Sequence, residues 1–280
     1  MDILEAISRR VSVRNYQTEP ASALEVEDVR RRGEEAEALT RAEMKFQLYS
    51  AEEIGRDVKG IIGDSWKFIR APHYIVLVAI EGEGYLVDSG FRFEQMVLEA
   101  TRMGLGTCWI GGMFKEASLR SALAIEESWR VIALTPIGRP ADSSLVSRAF
   151  RAVARSSTRK PVEQIFFWQR HGGSLPAGVH SEERLARVLE ATRRAPSWAN
   201  KQPWRFILAD REILVYKQMR QEREGKDYHL LDCGIAMAHL HLASRAVGMN
   251  GSWELRKCEV PGAPDAELVG GYVLDLSCLR

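Results

Sequence analysis

The chain has 280 residues, enough for two small domains or one double-sized unit, and its 45% hydrophobic and 28% charged residues exclude a disordered or fibrous polymer. Its 39 basic and 38 acidic residues leave a formal charge of +1, so no global field favours nucleic acid or an anionic membrane surface. The longest clean apolar run, Tyr74 to Ile80, is too short to span a bilayer. The opening MDILEAISRR has no hydrophobic signal core, and Cys108, Cys233, Cys258 and Cys278 form no CxxC pair. A reducing cytoplasm is the expected compartment.

In chain order, an amphipathic turn on Ile3, Leu4 and Ile7 leads into SRRVSVRNY (Ser8–Tyr16). Arg9, Arg10 and Arg14 with Ser12 offer guanidinium forks and a hydroxyl suited to phosphate oxygens, although a solvated basic helix end would read the same way. KFQLYSAEEI, from Lys45, predicts a short strand preceded by a helix, and HYIVLVAI (73–80) and WRVIALTPIG (129–138) predict two more strands. Between them, YLVDSGFRFEQMVLEATRMGLGTCW, from Tyr85, predicts a helix beginning near Asp88, whose carboxylate is expected to cap it, and ending at Gly104. Phe93, Met96, Val97 and Ala100 fall at helical spacing on its buried face. In GLGTCWIGG (Gly104–Gly112) successive glycines let backbone N–H groups approach a ligand. This turn follows a helix and is no dinucleotide-binding fingerprint. Cys108 within it reads as a small packing residue.

The stretch from Ala141 to Thr158 reads as a connecting arm, followed by the basic pair Arg159 and Lys160 in TRKPVEQI (Thr158–Ile165). A joint near residue 165 divides the chain into a first half, 1–165, and a shorter second half, 166–280. In the second half a helix capped by Ser181 carries Leu185, Val188 and Leu189. In APSWANKQPW (Ala195–Trp204) two prolines are expected to stop that helix and fix an extended loop presenting Ser197, Asn200 and Gln202. RFILADREI, from Arg205, again predicts a short strand, and GGYVLDL (270–276) another. YHLLDCGIAMAHLHLASRAVGMNGSW, from Tyr228, repeats the first-half helix: Asp88 matches Asp232, Gly90 Gly234, Leu98 Leu242, Gly104 Gly248 and Trp109 Trp253. It is apolar over more of its circumference, as suits a helix packed from several sides. His239 and His241, two apart on a helix, cannot chelate one metal. No catalytic triad or carboxylate pair stands out.

RRxSxR, then GLGTxWIGG after a helix, an RKPxEE-like tail and PSxxNxQPW together resemble the nitroreductase superfamily over nearly the whole chain. The resemblance implies an α+β fold with mixed sheets and central helices, and a subunit pair holding FMN at its interface. It implies that Arg10, Ser12 and Arg14 hold the phosphate and the ribityl or pyrimidine edge, with Arg9 also among the cofactor contacts and Arg159 and Lys160 as additional phosphate contacts. It also implies backbone contacts from Gly111 and Gly112 near flavin N5, and ring contacts from Pro196, Ser197, Asn200 and Gln202. The flavin itself would carry the chemistry, with no catalytic side chain. The first half has EAEALTRAEM (Glu35–Met44) where PSxxNxQPW is expected, and the second has only QRHGGS (Gln169–Ser174) in place of RRxSxR. Each half keeps what the other lacks, which resembles a single-chain pseudo-dimer with one working site. The expected activity is ping-pong electron transfer from NAD(P)H to a nitroaromatic, quinone or flavin. Oxygen activation, dehalogenation and non-catalytic FMN binding are the alternatives. The expected partners are small molecules only, with the chain working as a monomer.

Overall fold

The computed structural model describes residues 1–19, 21–57, 69, 71–112, 114–141, 158–217, 222, 223 and 226–275. Most of the connecting arm therefore lies outside the described residues. Helix α1 (Ile3–Arg9) is capped by Asp2, and α2 (Ala23–Glu34) by a reciprocal capping box between Ser22 and Glu25. The first sheet contains β1 (Met44–Ser50), β2 (His73–Ala79), β3 (Gly106–Thr107) and β4 (Arg130–Gly138) in the order β1-β2-β4-β3. Short helices α3 (Ala51–Asp57) and α5 (Glu116–Ala122) flank it, and the long α4 (Tyr85–Arg102) leaves β2 and returns to β3.

The second sheet contains β5 (Phe166–Trp168), β6 (Trp204–Leu208), β7 (Glu212–Lys217), β10 (Gly251–Leu255) and β11 (Glu267–Leu274). A small ladder of β8 (Glu222–Arg223) and β9 (Lys226–Asp227) precedes the second long helix, α7 (Tyr228–Ala246); α6 (Glu183–Arg193) lies before β6. Its order, β10-β11-β7-β6-β5, contains the first sheet's sequence of connections, with β6, β7, β10 and β11 standing where β1, β2, β3 and β4 stand. The added strand is β5, parallel to β6. The expectation of mixed sheets therefore holds for the second; in the first the strand-to-strand ladders are antiparallel, and a parallel bridge joins Ser12 to Thr107 on β3.

The two long helices cross at the glycines matched in the repeat. A Cβ on Gly90 would collide with the Leu231 carbonyl oxygen, and one on Gly234 with that of Val87, so the backbones touch there. Phe93, Met96, Val97 and Ala100 are fully buried and pack with Ile75, Leu77 and Ile132 of the first sheet. Ala236, Met237 and Leu240 pack with Phe206, Val215 and Tyr272 of the second. Both helices end as expected, with Gly104 (φ 78°) and Gly248 (φ 76°) left-handed just beyond the last turn.

Local expectations need correction. Neither matched aspartate caps its own helix. α4 starts at Tyr85 behind a left-handed Gly84, and α7 starts at Tyr228 with Asp227 accepting from the His229 N–H. Asp88 and Asp232 sit one turn inside, buried, and their carboxylates reach across to other loops. The cap of α6 is Glu182, which accepts from the Leu185 N–H, rather than Ser181, because Ser181 closes the preceding 3-10 turn with a helical backbone. RFILADREI is not one strand but the end of β6, a turn, and the start of β7.

Candidate functional site

The segment Ser8–Tyr16 runs beside the glycine turn. The Val13 N–H donates to the Thr107 carbonyl at 2.8 Å, and Ser12 bridges Thr107 in parallel register. The Cys108 thiol is buried there and pushed up by desolvation, while Arg14, Ser12 and Arg10 act the other way. A thiol so placed stays protonated, which suits the packing role. Gly111 and Gly112 reach the start of α7: a methyl built on Gly111 would lie 3.6 Å from Leu231, and one on Gly112 3.7 Å from the Tyr228 ring.

The loop after α6 is turned, where an extended run was expected. Ala199 (φ 48°), Asn200 (φ 55°) and Gln202 (φ 50°) are left-handed, a conformation that costs of order 1 kcal/mol or more per non-glycine residue and persists only when surroundings impose it. The surroundings here are identifiable. The Trp198 N–H donates to Asp232 at 3.0 Å and the Gln202 N–H to the Ser197 hydroxyl at 2.9 Å. Asn200 accepts from Arg159 Nη1 at 2.8 Å and donates to the Thr158 carbonyl at 2.7 Å. Gln202, almost fully buried, accepts from the Lys160 N–H at 2.9 Å, and Lys160 Nζ donates to the Gln202 carbonyl at 3.2 Å. Asn200, Gln202, Arg159 and Lys160 thus come together, but their polar groups first fasten the loop to Thr158–Lys160. Pro196 is half-buried at the loop's entrance. The corresponding loop of the first sheet is held the same way, with Asp88 accepting from the Leu39 N–H at 2.8 Å and the Thr40 hydroxyl at 2.9 Å.

The two regions come close enough for Arg10 to act on Arg159 through its charge. Burial pushes Arg159 down to about 10, and the neighbouring charges of Arg10, Arg193 and Arg194 push the same way, while the charge of Glu94 opposes. Lys160 is also lowered, by burial first and Arg205 second. The Arg10 side chain is largely buried, and among the described residues its Nε has no hydrogen-bond partner and its ion pair is with Glu94 Oε1, at 3.8 Å. Arg9 is not brought to this place, since it pairs with Glu5 at 2.7 Å on the solvent side of α1. Arg14 lies near the turn, donating to the Ser12 carbonyl at 3.4 Å. A cluster of crowded cations around an unpartnered buried Nε is chemically a site for an anion with several oxygens.

Sequence reasoning missed Glu94 and passed over His239. Both are fully buried, and they meet across the helix crossing at 2.8 Å. The available signal was an acidic residue on an otherwise apolar helix stripe. Among the described residues no group of three His, Cys, Asp or Glu is placed to hold a metal ion, and no helix is long and apolar enough to cross a membrane.

A family model described as "Putative TM nitroreductase" matches residues 2–244. A Thermotoga maritima crystal structure of the same designation is similar over 98% of this chain and 93% of its own, at 21% identity and a TM-score of 0.60, which shows the same fold over the full length. A nitroreductase family protein of Clostridium novyi (26% identity, 62% of this chain and 97% of its own, TM-score 0.46) is also similar. So is an FMN-dependent nitroreductase of Clostridium difficile (19%, 50% and 88%, TM-score 0.43). No curated protein matches the chain. The family model spans most of the sequence, and the chain therefore belongs to this nitroreductase family.

Proposed function

We propose that the chain is an FMN-dependent oxidoreductase built as a duplicated pair of halves, 1–165 and 166–280, with one flavin per chain held between them. The observation that carries this reading is that Arg10, from the start of the chain, lies within electrostatic reach of Arg159 and its loop, and that among the described residues its buried Nε has no hydrogen-bond partner. That environment fits a terminal monophosphate, whose oxygens would relieve repulsion between the cations. Arg10, Ser12, Arg14, Arg159 and Lys160 would hold the phosphate and ribityl end. The backbone of Gly111 and Gly112 and the loop of Pro196, Ser197, Asn200 and Gln202 would hold the ring. The recurrence of one strand order in both sheets, and of an aspartate fastening a loop in each, supports the duplication.

FMN bound there would supply two-electron transfer from NAD(P)H to an electron-poor acceptor such as a nitroaromatic, a quinone or a flavin, in ping-pong order. The chain's own part is to bind, orient and shield, as a cytoplasmic monomer. Calorimetric titration of the flavin-free chain tests the reading. It should give a stoichiometry near one and a preference for FMN over FAD, and Arg10→Ala should weaken FMN binding by about 1.5–3 kcal/mol, the range for a charge-assisted hydrogen bond. A stoichiometry near two, equal affinity for FAD, or no binding would overturn it.

A further inference from the structure

Glu94 lies in the middle of α4 on its buried side, and its carboxylate gathers groups from the N-terminal segment, the glycine turn and the second central helix. Oε2 accepts from Trp109 Nε1–H of the glycine turn at 2.6 Å. Oε1 lies 2.8 Å from His239 Nε2 on α7 and 3.8 Å from Arg10 Nε of the N-terminal segment. His239 in turn places Nδ1 3.0 Å from the Ala191 carbonyl, in the last turn of α6, the helix that leads into the left-handed loop.

The partners determine where the protons are. A carbonyl oxygen can only accept, so His239 Nδ1 must carry a proton. Nε2 then faces a carboxyl oxygen, and one proton lies between the two. Glu94 also accepts the Trp109 N–H and faces the Arg10 cation, so each of its other contacts uses the carboxyl group as an acceptor. The proton therefore belongs to the imidazole. We propose that Glu94 and His239 form a buried carboxylate–imidazolium pair, and that the pair acts as a positioning device which holds Arg10 and Trp109 for the ligand from both central helices. The pair rests on these contacts alone; only the ligand it serves rests on the FMN reading above.

Among the described residues Arg10 has no hydrogen bond to hold its Nε, so the Glu94 charge holds its guanidinium. Glu94→Gln separates this role from mere packing. Its amide oxygen can still accept from Trp109, and its N–H₂ can donate to a neutral His239 Nε2, so shape and hydrogen bonds persist while the charge is lost. The repeat supplies the natural contrast: Ala238 occupies the place of Glu94 in α7, and Trp253 Nε1, matching Trp109, is buried without a hydrogen-bond partner.

Two measurements on the full chain test this. In ¹⁵N-histidine spectra at neutral pH, the His239 ring, assigned by its loss in His239→Gln, should show both nitrogens protonated in the wild type and one in Glu94→Gln. A singly protonated wild-type ring would overturn the ion pair. Titrations with FMN and riboflavin then read the positioning. The preference for FMN over riboflavin should fall about tenfold in Glu94→Gln, the scale of one weakened charge-assisted bond, with riboflavin affinity little changed. An unchanged or increased preference would overturn the positioning of Arg10, and equal losses for both flavins would mark Glu94 as structural only. If the wild type binds neither flavin, the FMN reading fails and the role in serving FMN falls with it, while the histidine spectrum still decides the pair.

Discussion

Asp232 offers a quantitative test of how the loop after α6 is held. Its carboxylate is buried in the second turn of α7 and, among the described residues, accepts only from the Trp198 N–H, at 3.0 and 3.3 Å to its two oxygens. Desolvation pushes it up to about 8; the Trp198 bond and Lys201 oppose, and the charge of Asp227 adds to the rise. Asp88, its counterpart, is also raised by burial, but three donors from Leu39 and Thr40 work against the rise. The sign follows from proton counting. An unfolded Asp232 loses its proton near pH 4, whereas the folded one keeps it to about 8, so between these values the folded state holds the extra proton. Stability should therefore fall as pH rises through that window and level off above it. At about 1.4 kcal/mol per pH unit, the whole window is worth roughly 5 kcal/mol, and the part between about pH 5.5 and 8 roughly 3 kcal/mol. Asp232→Asn keeps an oxygen for Trp198 and removes the titration. Urea unfolding of both proteins across that range should show the variant gaining roughly 3 kcal/mol on the wild type as pH rises. Parallel pH profiles would refute the reasoning, because every other group cancels in the difference.

Three further changes probe the crossing and the turn. Gly90→Ala or Gly234→Ala should cost more than about 3 kcal/mol in urea unfolding, since the new methyl meets backbone and cannot be relieved by a rotamer; a loss under 1 kcal/mol would mean the helices are not in backbone contact. Gly112→Ala should leave stability within about 0.5 kcal/mol, because its methyl would sit at ordinary contact distance from Tyr228. Its FMN affinity should nevertheless drop at least about tenfold if the flavin approaches this backbone, and an unchanged affinity detaches the turn from the cofactor. Cys108→Ala should keep most flavin reduction by NAD(P)H in a stopped-flow assay, as its buried thiol is held protonated; a loss beyond about a hundredfold with FMN still bound would give the thiol a role in electron transfer.

The long helices from Tyr85 and Tyr228, the buried stripe of Phe93, Met96, Val97 and Ala100, and the glycines that end both helices were legible in the sequence. Each depends on local geometry: helical period, and the freedom of glycine at positive φ. The candidate site was legible as four polar or glycine-rich segments, whose union was carried by a family resemblance rather than by spacing. What a segment's polar side chains meet was not legible. Asp88 and Asp232 look like caps because an aspartate near a helix start usually is one, yet both are one turn inside and fasten loops from elsewhere. Asn200 and Gln202 look like ligand contacts but bond first to Thr158, Arg159 and Lys160. Arg9 and Arg10 are adjacent in sequence, and the turn of α1 sends one to Glu5 in solvent and the other to Glu94 inside. Glu94 and His239 lie 145 residues apart, and only the crossing of two helices at bare glycines brings them together. Periodicity reports which face of a helix is buried; the partner of a buried charge is chosen by the packing of whole elements, because burial makes an unpartnered charge too costly to leave alone.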